Sequence, residues 1–225
     1  MFRPLRPEAQ NDALIVIAFG LNVQAYTENE GHKQCPRPEQ CPHCDTQGRM
    51  VGHGSYSRKP KGLTRAWAIR VRRWRCQVCR RTVSCLPNFL LSFRHYLVSV
   101  IQAVLSLRLE QGGSWSATVA RCSQDGLPAL RTMQRWVNAF TARAAAWLPA
   151  VGEALAGQDS RSPWLEPRPP TETTSQNVAA TLLATSLYLL AWAKTRWPEL
   201  ADYGLADRLA FLWHWGGNRR LGRLV

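Results

Sequence analysis

The chain has 225 residues, of which 45% are hydrophobic and 20% charged, and it carries a formal net charge of +14 with a sequence pI of about 10.3. This composition is close to that of ordinary globular proteins and excludes a chain that is disordered throughout. So large an excess of positive charge indicates a polyanionic partner, which is either nucleic acid or an anionic membrane surface.

Residues 1–34 are assigned to an N-terminal segment. The apolar run at residues 13–19 is short and rich in β-branched side chains, which predicts a buried strand. Glu8 and Asp12 precede this run and no small-residue cleavage pattern follows it, so we expect no signal peptide and a cytoplasmic location. In such a chain, seven cysteines indicate metal ligands and buried thiols rather than disulfides.

Two C-x-x-C pairs predict a zinc ribbon, which we assign to residues 35–92. Two residues between thiolates let one tight turn present both sulfurs to a tetrahedral ion, and two pairs complete its ligand shell. The predicted zinc ligands are Cys41, Cys44, Cys76 and Cys79. A closed shell of four thiolates leaves no position for a catalytic water, so the site is expected to be structural.

The other three cysteines, Cys35, Cys85 and Cys122, are interpreted as buried thiols. Ligation by Cys35 in place of Cys41 is the open alternative. His43 lies inside the first pair and is expected to point away from the metal.

A β-hairpin is expected between the two pairs. Residues 48–58 suit one strand, and the sequence Lys-Pro-Lys-Gly at residues 59–62 is typical of a turn. The next segment alternates, with one face formed by Trp67, Ile69 and Val71 and the other by Arg70 and Arg72.

Residues 93–150 have a helical hydrophobic period and predict a helix-turn-helix. The first helix is expected to end at Gly112, and the second to be capped by Ser114 or Ser116. The small side chains of Ala117 and Ala120 are expected to let the second and third helices approach. The third helix is expected at residues 128–148, with an apolar face formed by Leu130, Met133, Val137 and Phe140.

Two sets of side chains are predicted to contact DNA. Residues 46–109 contain no Asp or Glu but many arginines, and such a one-sign stretch repels itself unless a polyanion neutralises it. The outward face of the third helix carries side chains suited to base edges and phosphates, although a plain helical hairpin with a solvated face has the same pattern. The predicted DNA-binding residues are Arg70, Arg72, Arg73, Arg75, Arg131, Gln134, Arg135 and Asn138, with Thr132 also on the outward face.

Residues 151–177 are rich in Pro, Ser and Thr and are interpreted as a linker, and residues 178–225 as a C-terminal helical segment. Residues 178–193 carry no charge, but this run is shorter than the roughly 20 residues that a spanning helix needs. A buried helix, or self-association through residues 178–197, is therefore expected rather than a membrane partner.

The pattern Cys-Pro-His-Cys, followed by Gly-Ser-Tyr-Ser-Arg at residues 54–58 and Arg-Trp-Arg-Cys at residues 73–76, resembles the amino-terminal zinc ribbon of bacterial insertion-sequence transposases. Gly-Gly-Ser at residues 112–114 and Thr-Met-Gln-Arg-Trp at residues 132–136 resemble the helix-turn-helix that follows it there. The resemblance covers residues 35–145 and implies zinc as cofactor and double-stranded DNA as partner.

That family continues into a catalytic domain with three carboxylates, and about 75 residues after residue 150 are too few for it. The sequence therefore predicts an α+β protein with a β-hairpin zinc ribbon, a helix-turn-helix region and a C-terminal helical tail. The expected function is zinc-dependent DNA binding in a mobile element, without catalysis and with a separate transposase subunit as an optional partner. A minimal or truncated transposase with an unrecognised active site is the alternative.

Overall fold

The computed structural model describes residues 12–17, 22–157, 174–201, 203–204, 207–218, 221 and 224–225. They belong to two compact units, Met1–Leu97 and Val98–Val225, which we call the ribbon unit and the helical unit. The first is built mainly of strands and the second of helices, so the predicted α+β class is confirmed. The predicted helix-turn-helix region and C-terminal segment fall together in the helical unit.

The ribbon unit is a four-stranded sheet with one helix. Its elements are β1 (Asp12–Ile17), α1 (Val23–Glu28), β2 (Met50–Arg58), β3 (Ile69–Cys76) and β4 (Thr82–Pro87). The strand order is β1-β4-β3-β2, with β1 parallel to β4 and the other neighbours antiparallel. The expected hairpin is β2–β3. The strand expected at residues 13–19 is confirmed as far as Ile17, and residues 18 and 19 lie outside the described residues.

Buried and exposed side chains alternate along β3 as the sequence predicted, although the strand begins and ends at different residues. Ile69 and Val71 are 3% and 0% exposed, whereas Arg70 between them is exposed. Trp67 precedes the strand instead of starting it, and the strand continues to Cys76, one of the four predicted ligands. The Tyr26 hydroxyl of α1 donates a 2.9 Å hydrogen bond to the backbone carbonyl of Arg70, which ties this helix to β3.

The helical unit consists of five helices and two short turns among the residues described. The helices are α2 (Val98–Leu105), α3 (Trp115–Cys122), α4 (Leu130–Ala156), α5 (Ser175–Arg196) and α6 (Arg208–Asn218), with a π-helical turn at Ser106–Glu110 and a 3-10 turn at Pro198–Leu200. Large side chains that are almost wholly buried form its core, namely Met133, Phe140, Trp147, Leu182 and Phe211. These apolar contacts hold α4, α5 and α6 together.

Helix α4 is longer than the sequence predicted. The buried stripe that contains Phe140 continues through Trp147, Val151 and Leu155, so the helix extends past Pro149 to Ala156. The predicted linker at residues 151–177 is therefore helical at its start. Residues 158–173 lie outside the described part of the chain, and α5 begins at Ser175, where the Thr174 hydroxyl caps it by accepting from the Asn177 amide at 3.2 Å.

Helix α5 confirms the helix expected after residue 178. By length and composition, it is the one helix of the described residues that could cross a membrane, with a mean hydropathy of 1.3 over its most apolar window. Of that window, 44% is buried inside the structure.

Candidate metal centre and basic faces

Four cysteines form a cluster at the end of the sheet. Cys41 and Cys44 lie on the turn before β2, while Cys76 ends β3 and Cys79 follows it. Their four Sγ atoms all lie within 4.8 Å of one another. Cys41 and Cys76 are fully buried, and Met50 and Val83, both 0% exposed, pack beneath the cluster with the half-buried Trp74.

The two C-x-x-C turns have the same backbone geometry. The Cys41 amide donates to the carbonyl of Thr46, and the Cys76 amide donates to the carbonyl of Arg81, each at 3.0 Å and each five residues along the chain. The residue after each second cysteine is left-handed, with φ of 57° at Asp45 and 61° at Arg80. Non-glycine residues rarely adopt this conformation, so its repetition indicates two turns shaped for the same task.

The sulfur spacing suits a tetrahedral ion. Cys41 Sγ lies 3.7 Å from Cys79 Sγ, and Cys44 Sγ lies 3.7 Å from Cys76 Sγ. Thiolates at about 2.3 Å from a tetrahedral metal are about 3.8 Å apart, which these distances match. The cluster could therefore hold a metal ion through all four of the predicted ligands.

Polar neighbours lower the pKa of one thiol in the cluster. The Thr46 hydroxyl, 3.3 Å from Cys44 Sγ, and the Thr46 backbone amide lower the pKa of Cys44 to about 6. Burial raises the pKa of Cys41 to about 12 and also raises that of Cys79. A divalent ion offsets this effect of burial, because thiols that coordinate a metal are deprotonated outright.

The remaining cysteines lie apart from the cluster. Cys41 and not Cys35 belongs to the group of four, and Cys35 Sγ donates instead to the carbonyl of Pro36 at 3.6 Å. Cys35, Cys85 and Cys122 are all buried, as expected. Within the first turn, His43 Nδ1 lies 3.5 Å from a guanidinium nitrogen of Arg81 and outside the sulfur cluster, as the sequence predicted.

The four arginines predicted on the ribbon do not share one face. Side chains alternate along a strand, so Arg70 and Arg72 lie on one side of β3, and Arg73 and Arg75 lie on the other with Val71. We call these the Arg70–Arg72 face and the Arg73–Arg75 face. The sequence analysis grouped all four, because net charge carries no information about the side of a sheet.

The Arg70–Arg72 face is polar, and it is accessible to solvent on the side where β3 pairs with β2. Ser57 and Ser55 lie directly across from Arg70 and Arg72 in the pairing of β2 with β3. The Arg72 guanidinium lies 4.9 Å from the centre of the Trp74 ring and crosses Gly52, where a Cβ would come within 2.7 Å of it. This glycine gives the arginine room to lie flat on the sheet.

The Arg73–Arg75 face is more enclosed. Arg73 lies 5.9 Å from the centre of the Tyr56 ring, and its buried Nε has no hydrogen-bond partner in the described part of the chain. Arg75 donates from Nε to the carbonyl of Arg80 at 3.2 Å, which ties it to the second cysteine turn. Of the four predicted arginines, Arg70 is exposed, and the other three are half-buried.

The predicted recognition face lies on the outside of α4. Arg131, Arg135 and Asn138 are exposed and one or two turns apart, and Gln134 and Thr132 beside them are half-buried. Met133, Val137 and Phe140 form the buried side, as predicted, but Leu130 is 41% exposed because it stands at the helix start.

Helix α3 is oriented differently from the expectation. Ser114 is its cap and accepts a 3.1 Å hydrogen bond from the Ala117 amide, as one of the two predicted serines should. Ala117 and Ala120, however, are exposed, and the buried positions are Thr118 and Cys122. The prediction that the two alanines mediate helix packing was wrong, because a helix of two turns offers too few positions for periodicity to fix its buried side.

Comparison with known proteins adds one match. A family described as a domain of unknown function (DUF6431) matches residues 41–136, a range that begins at the first clustered cysteine and ends inside α4. The chain is thus similar to that family over all four cysteines, over α3 and over the start of α4. No curated protein and no solved structure matches the chain.

Proposed function

We propose that this protein is a zinc-dependent binder of double-stranded DNA. The observation that carries the proposal is the four-thiol cluster, whose second cysteine pair lies in a stretch of chain from residue 46 to residue 109 that has no acidic residue. Four thiolates with this spacing favour zinc, because zinc tolerates a closed tetrahedral sulfur shell without redox change. The metal would stabilise the fold of the ribbon, and the arginines would contact the phosphates of the DNA.

The Arg70–Arg72 face is the surface that we assign to the DNA backbone. Arginine forks pair with phosphate oxygens, and serine hydroxyls commonly add hydrogen bonds to the same groups. Ser55 and Ser57 stand opposite the two arginines, and Arg70 is the exposed arginine of the predicted four. Contacts of this kind position a protein on the duplex and carry no sequence information.

Helix α4 is the element that we assign to base recognition. Arg131 and Arg135 suit guanine edges, and Gln134 and Asn138 suit adenine edges. The resemblance to transposase DNA-binding regions supports a role in a mobile element, with a separate transposase subunit as partner and self-association through α5.

The salt dependence of DNA binding tests whether the positive charge of the protein contacts a polyanion. Binding to a fluorescent duplex is measured at increasing salt, and log K should fall with log salt at about −0.9 per phosphate contacted. A slope near zero contradicts DNA binding through the basic surface.

A matched pair of double variants tests which face contacts the duplex. R70A/R72A and R73A/R75A each remove two positive charges, so a long-range electrostatic effect weakens binding equally in both. Direct contact through the Arg70–Arg72 face predicts that the first variant alone reduces the salt slope by about 0.9 for each lost contact, alike for all DNA sequences. Equal losses, or a larger loss in R73A/R75A, reject this assignment.

Selection of bound sequences from a random pool tests base recognition. Wild-type protein should select a DNA sequence motif. In Gln134→Ala or Arg135→Ala, one or two base positions of that motif should no longer be selected, because each lost side chain–base pair contributes about 1–3 kcal/mol of discrimination. Recovery of no motif by wild type means that α4 contacts only the backbone.

A further inference from the structure

The connection between β2 and β3, residues 59–67, is a basic feature of the ribbon unit that the strand arginines do not include, and we call it the hairpin tip. Its own backbone holds it in one shape. Gly62 donates from its amide to the carbonyl of Arg65 at 2.8 Å, and the Trp67 amide donates to the carbonyl of Pro60 at 2.9 Å. The tip therefore continues the hairpin as a hydrogen-bonded turn.

A second segment of the same unit supports the base of the hairpin tip. The Lys61 amide donates to the carbonyl of His95 at 2.7 Å, and the Leu97 amide donates to the carbonyl of Lys61 at 2.9 Å. The Lys61 ammonium also lies 5.7 Å from the centre of the Tyr96 ring. The outermost residues, 63–66, are all exposed, so the tip presents them to solvent on a supported backbone.

The exposed end of the hairpin tip combines an apolar side chain with positive charge. Leu63 is 39% exposed, and Thr64 and Arg65 beside it are exposed as well. The Arg65 guanidinium lies 3.6 Å from the centre of the Trp67 ring, so it stacks on an aromatic face. A cation–π contact orients an arginine without neutralising its charge, as an ion pair would. The tip also lies in the stretch at residues 46–109 that has no acidic residue.

We propose that the hairpin tip enters the minor groove of duplex DNA, with Arg65 as its charged contact and Leu63 as its apolar contact. This inference rests on the proposed DNA binding and adds a second element of contact to it. The negative potential of a narrow minor groove attracts arginine, and proteins that bind this groove insert apolar side chains such as leucine between base steps. The tip carries one side chain of each kind, two residues apart on one turn.

An anionic lipid surface is the other polyanion that a basic tip with an exposed leucine could contact. Membrane binding increases with the apolar area that is buried, and a single exposed leucine supplies little of it. The hairpin tip also leads directly into β3, whose Arg70–Arg72 face we assign to the DNA backbone. One hairpin would thus contact phosphates through its strand and the minor groove through its tip.

The test measures the affinity of the full chain for three duplexes of one sequence. One has natural bases, one has inosine in place of guanine, and one has diaminopurine in place of adenine. Inosine lacks the amino group that guanine places in the minor groove and diaminopurine adds one, while the hydrogen-bonding edges in the major groove stay the same. Wild type should bind the inosine duplex several-fold more tightly than the natural duplex, and the diaminopurine duplex several-fold more weakly.

A matched pair of double variants assigns this preference to the hairpin tip. L63A/R65A removes the two exposed side chains of the tip and should bind all three duplexes alike. R49A/V78A is the control, because it removes one exposed arginine and one exposed apolar side chain at the metal end of the ribbon. The control should keep the order of affinities that wild type has.

Equal binding of wild type to all three duplexes overturns the minor-groove contact and leaves the proposed DNA binding intact. The same holds if L63A/R65A keeps the wild-type order of affinities. If L63A/R65A keeps that order and loses binding to phosphatidylserine vesicles, the tip contacts a lipid surface instead. Absence of wild-type binding to any duplex rejects both proposals. The comparison of the three duplexes with wild type does not depend on the folding of any variant.

Discussion

The four-cysteine end of the ribbon unit and the core of the helical unit bury different kinds of side chain. At the metal end of the ribbon, the buried group consists of Cys41 and Cys76 with only Met50 and Val83 beneath them. The helical unit instead buries large apolar side chains such as Phe140 and Trp147. Burying apolar area stabilises a fold without a ligand, whereas a small core depends on cross-links or metals.

This difference predicts which change destabilises each unit. Withdrawing an ion from between four thiolates removes the main cross-link of the ribbon, because metal binding and folding are coupled in such sites. Withdrawal of the metal should leave the apolar core of the helical unit unchanged. The four predictions below test this contrast, from the largest expected effect to the smallest.

Loss of the metal should unfold the ribbon and spare the helices. In Cys76→Ser, or in wild type with a strong chelator, we expect loss of metal and of β-sheet signal with the helical signal retained. The apparent binding free energy of a structural zinc is about 10–16 kcal/mol, far more than a small sheet can replace. Elemental analysis and circular dichroism measure both changes. Cys122→Ser is the control, and a ribbon that stays folded without metal breaks the comparison.

Trp147→Ala should destabilise the helical unit and leave the metal content unchanged. Trp147 is 0% exposed and its Nε1 donates a 3.1 Å hydrogen bond to the carbonyl of Leu221. Gly216 of α6 lies so close that a Cβ there would come within 2.0 Å of the ring. Truncating a buried tryptophan costs about 3–5 kcal/mol, measured as the free energy of unfolding in urea. The half-buried Trp192 is the control, and an equal loss in Trp192→Ala would contradict the role of Trp147.

Arg208→Met should cost less than the loss of Trp147. The Arg208 guanidinium is held by the Glu110 carboxylate and by Ser106 Oγ at 2.7 Å. Breaking a fully buried pair costs about 3–5 kcal/mol, and we expect about 2 kcal/mol because the Glu110 side chain is 25% exposed. Adding Glu110→Leu should recover part of the loss in the double variant. A double variant less stable than Arg208→Met would show that charge pairing is not the cause.

Acid should destabilise the helical unit through His214. Burial lowers the pKa of His214 to about 4, and neither ring nitrogen has a hydrogen-bond partner among the described residues. Since the unfolded chain takes up a proton at a higher pH, this group favours folding above pH 6.5 and opposes it as pH falls from 6.5 towards 4. Stability in that range should change by up to about 1.4 kcal/mol per pH unit. His214→Phe should have a shallower pH dependence, and an unchanged one contradicts the assignment.

The sequence could predict features that depend on local spacing. The C-x-x-C pairs identify the four clustered cysteines, and the alternation at Ile69, Arg70 and Val71 identifies the sides of β3, because turn and strand geometry involve few residues. The period of Met133, Val137 and Phe140 likewise identifies the buried side of α4.

Features that join distant segments could not be predicted in this way. The pair of Arg208 with Glu110 results from the tertiary fold, and no local pattern encodes it. The exposure of Ala117 shows the same limit within a short helix, where packing against neighbours decides which side is buried.

The measurement that tests the central claim most directly is X-ray absorption at the zinc edge, combined with elemental analysis of the purified chain. One zinc per chain with four sulfur ligands at about 2.3 Å is the predicted result. The four-cysteine assignment further predicts that Cys35→Ser and Cys85→Ala leave this spectrum unchanged. A stoichiometric metal other than zinc, fewer than four sulfur ligands, or an altered spectrum in Cys35→Ser would contradict the account.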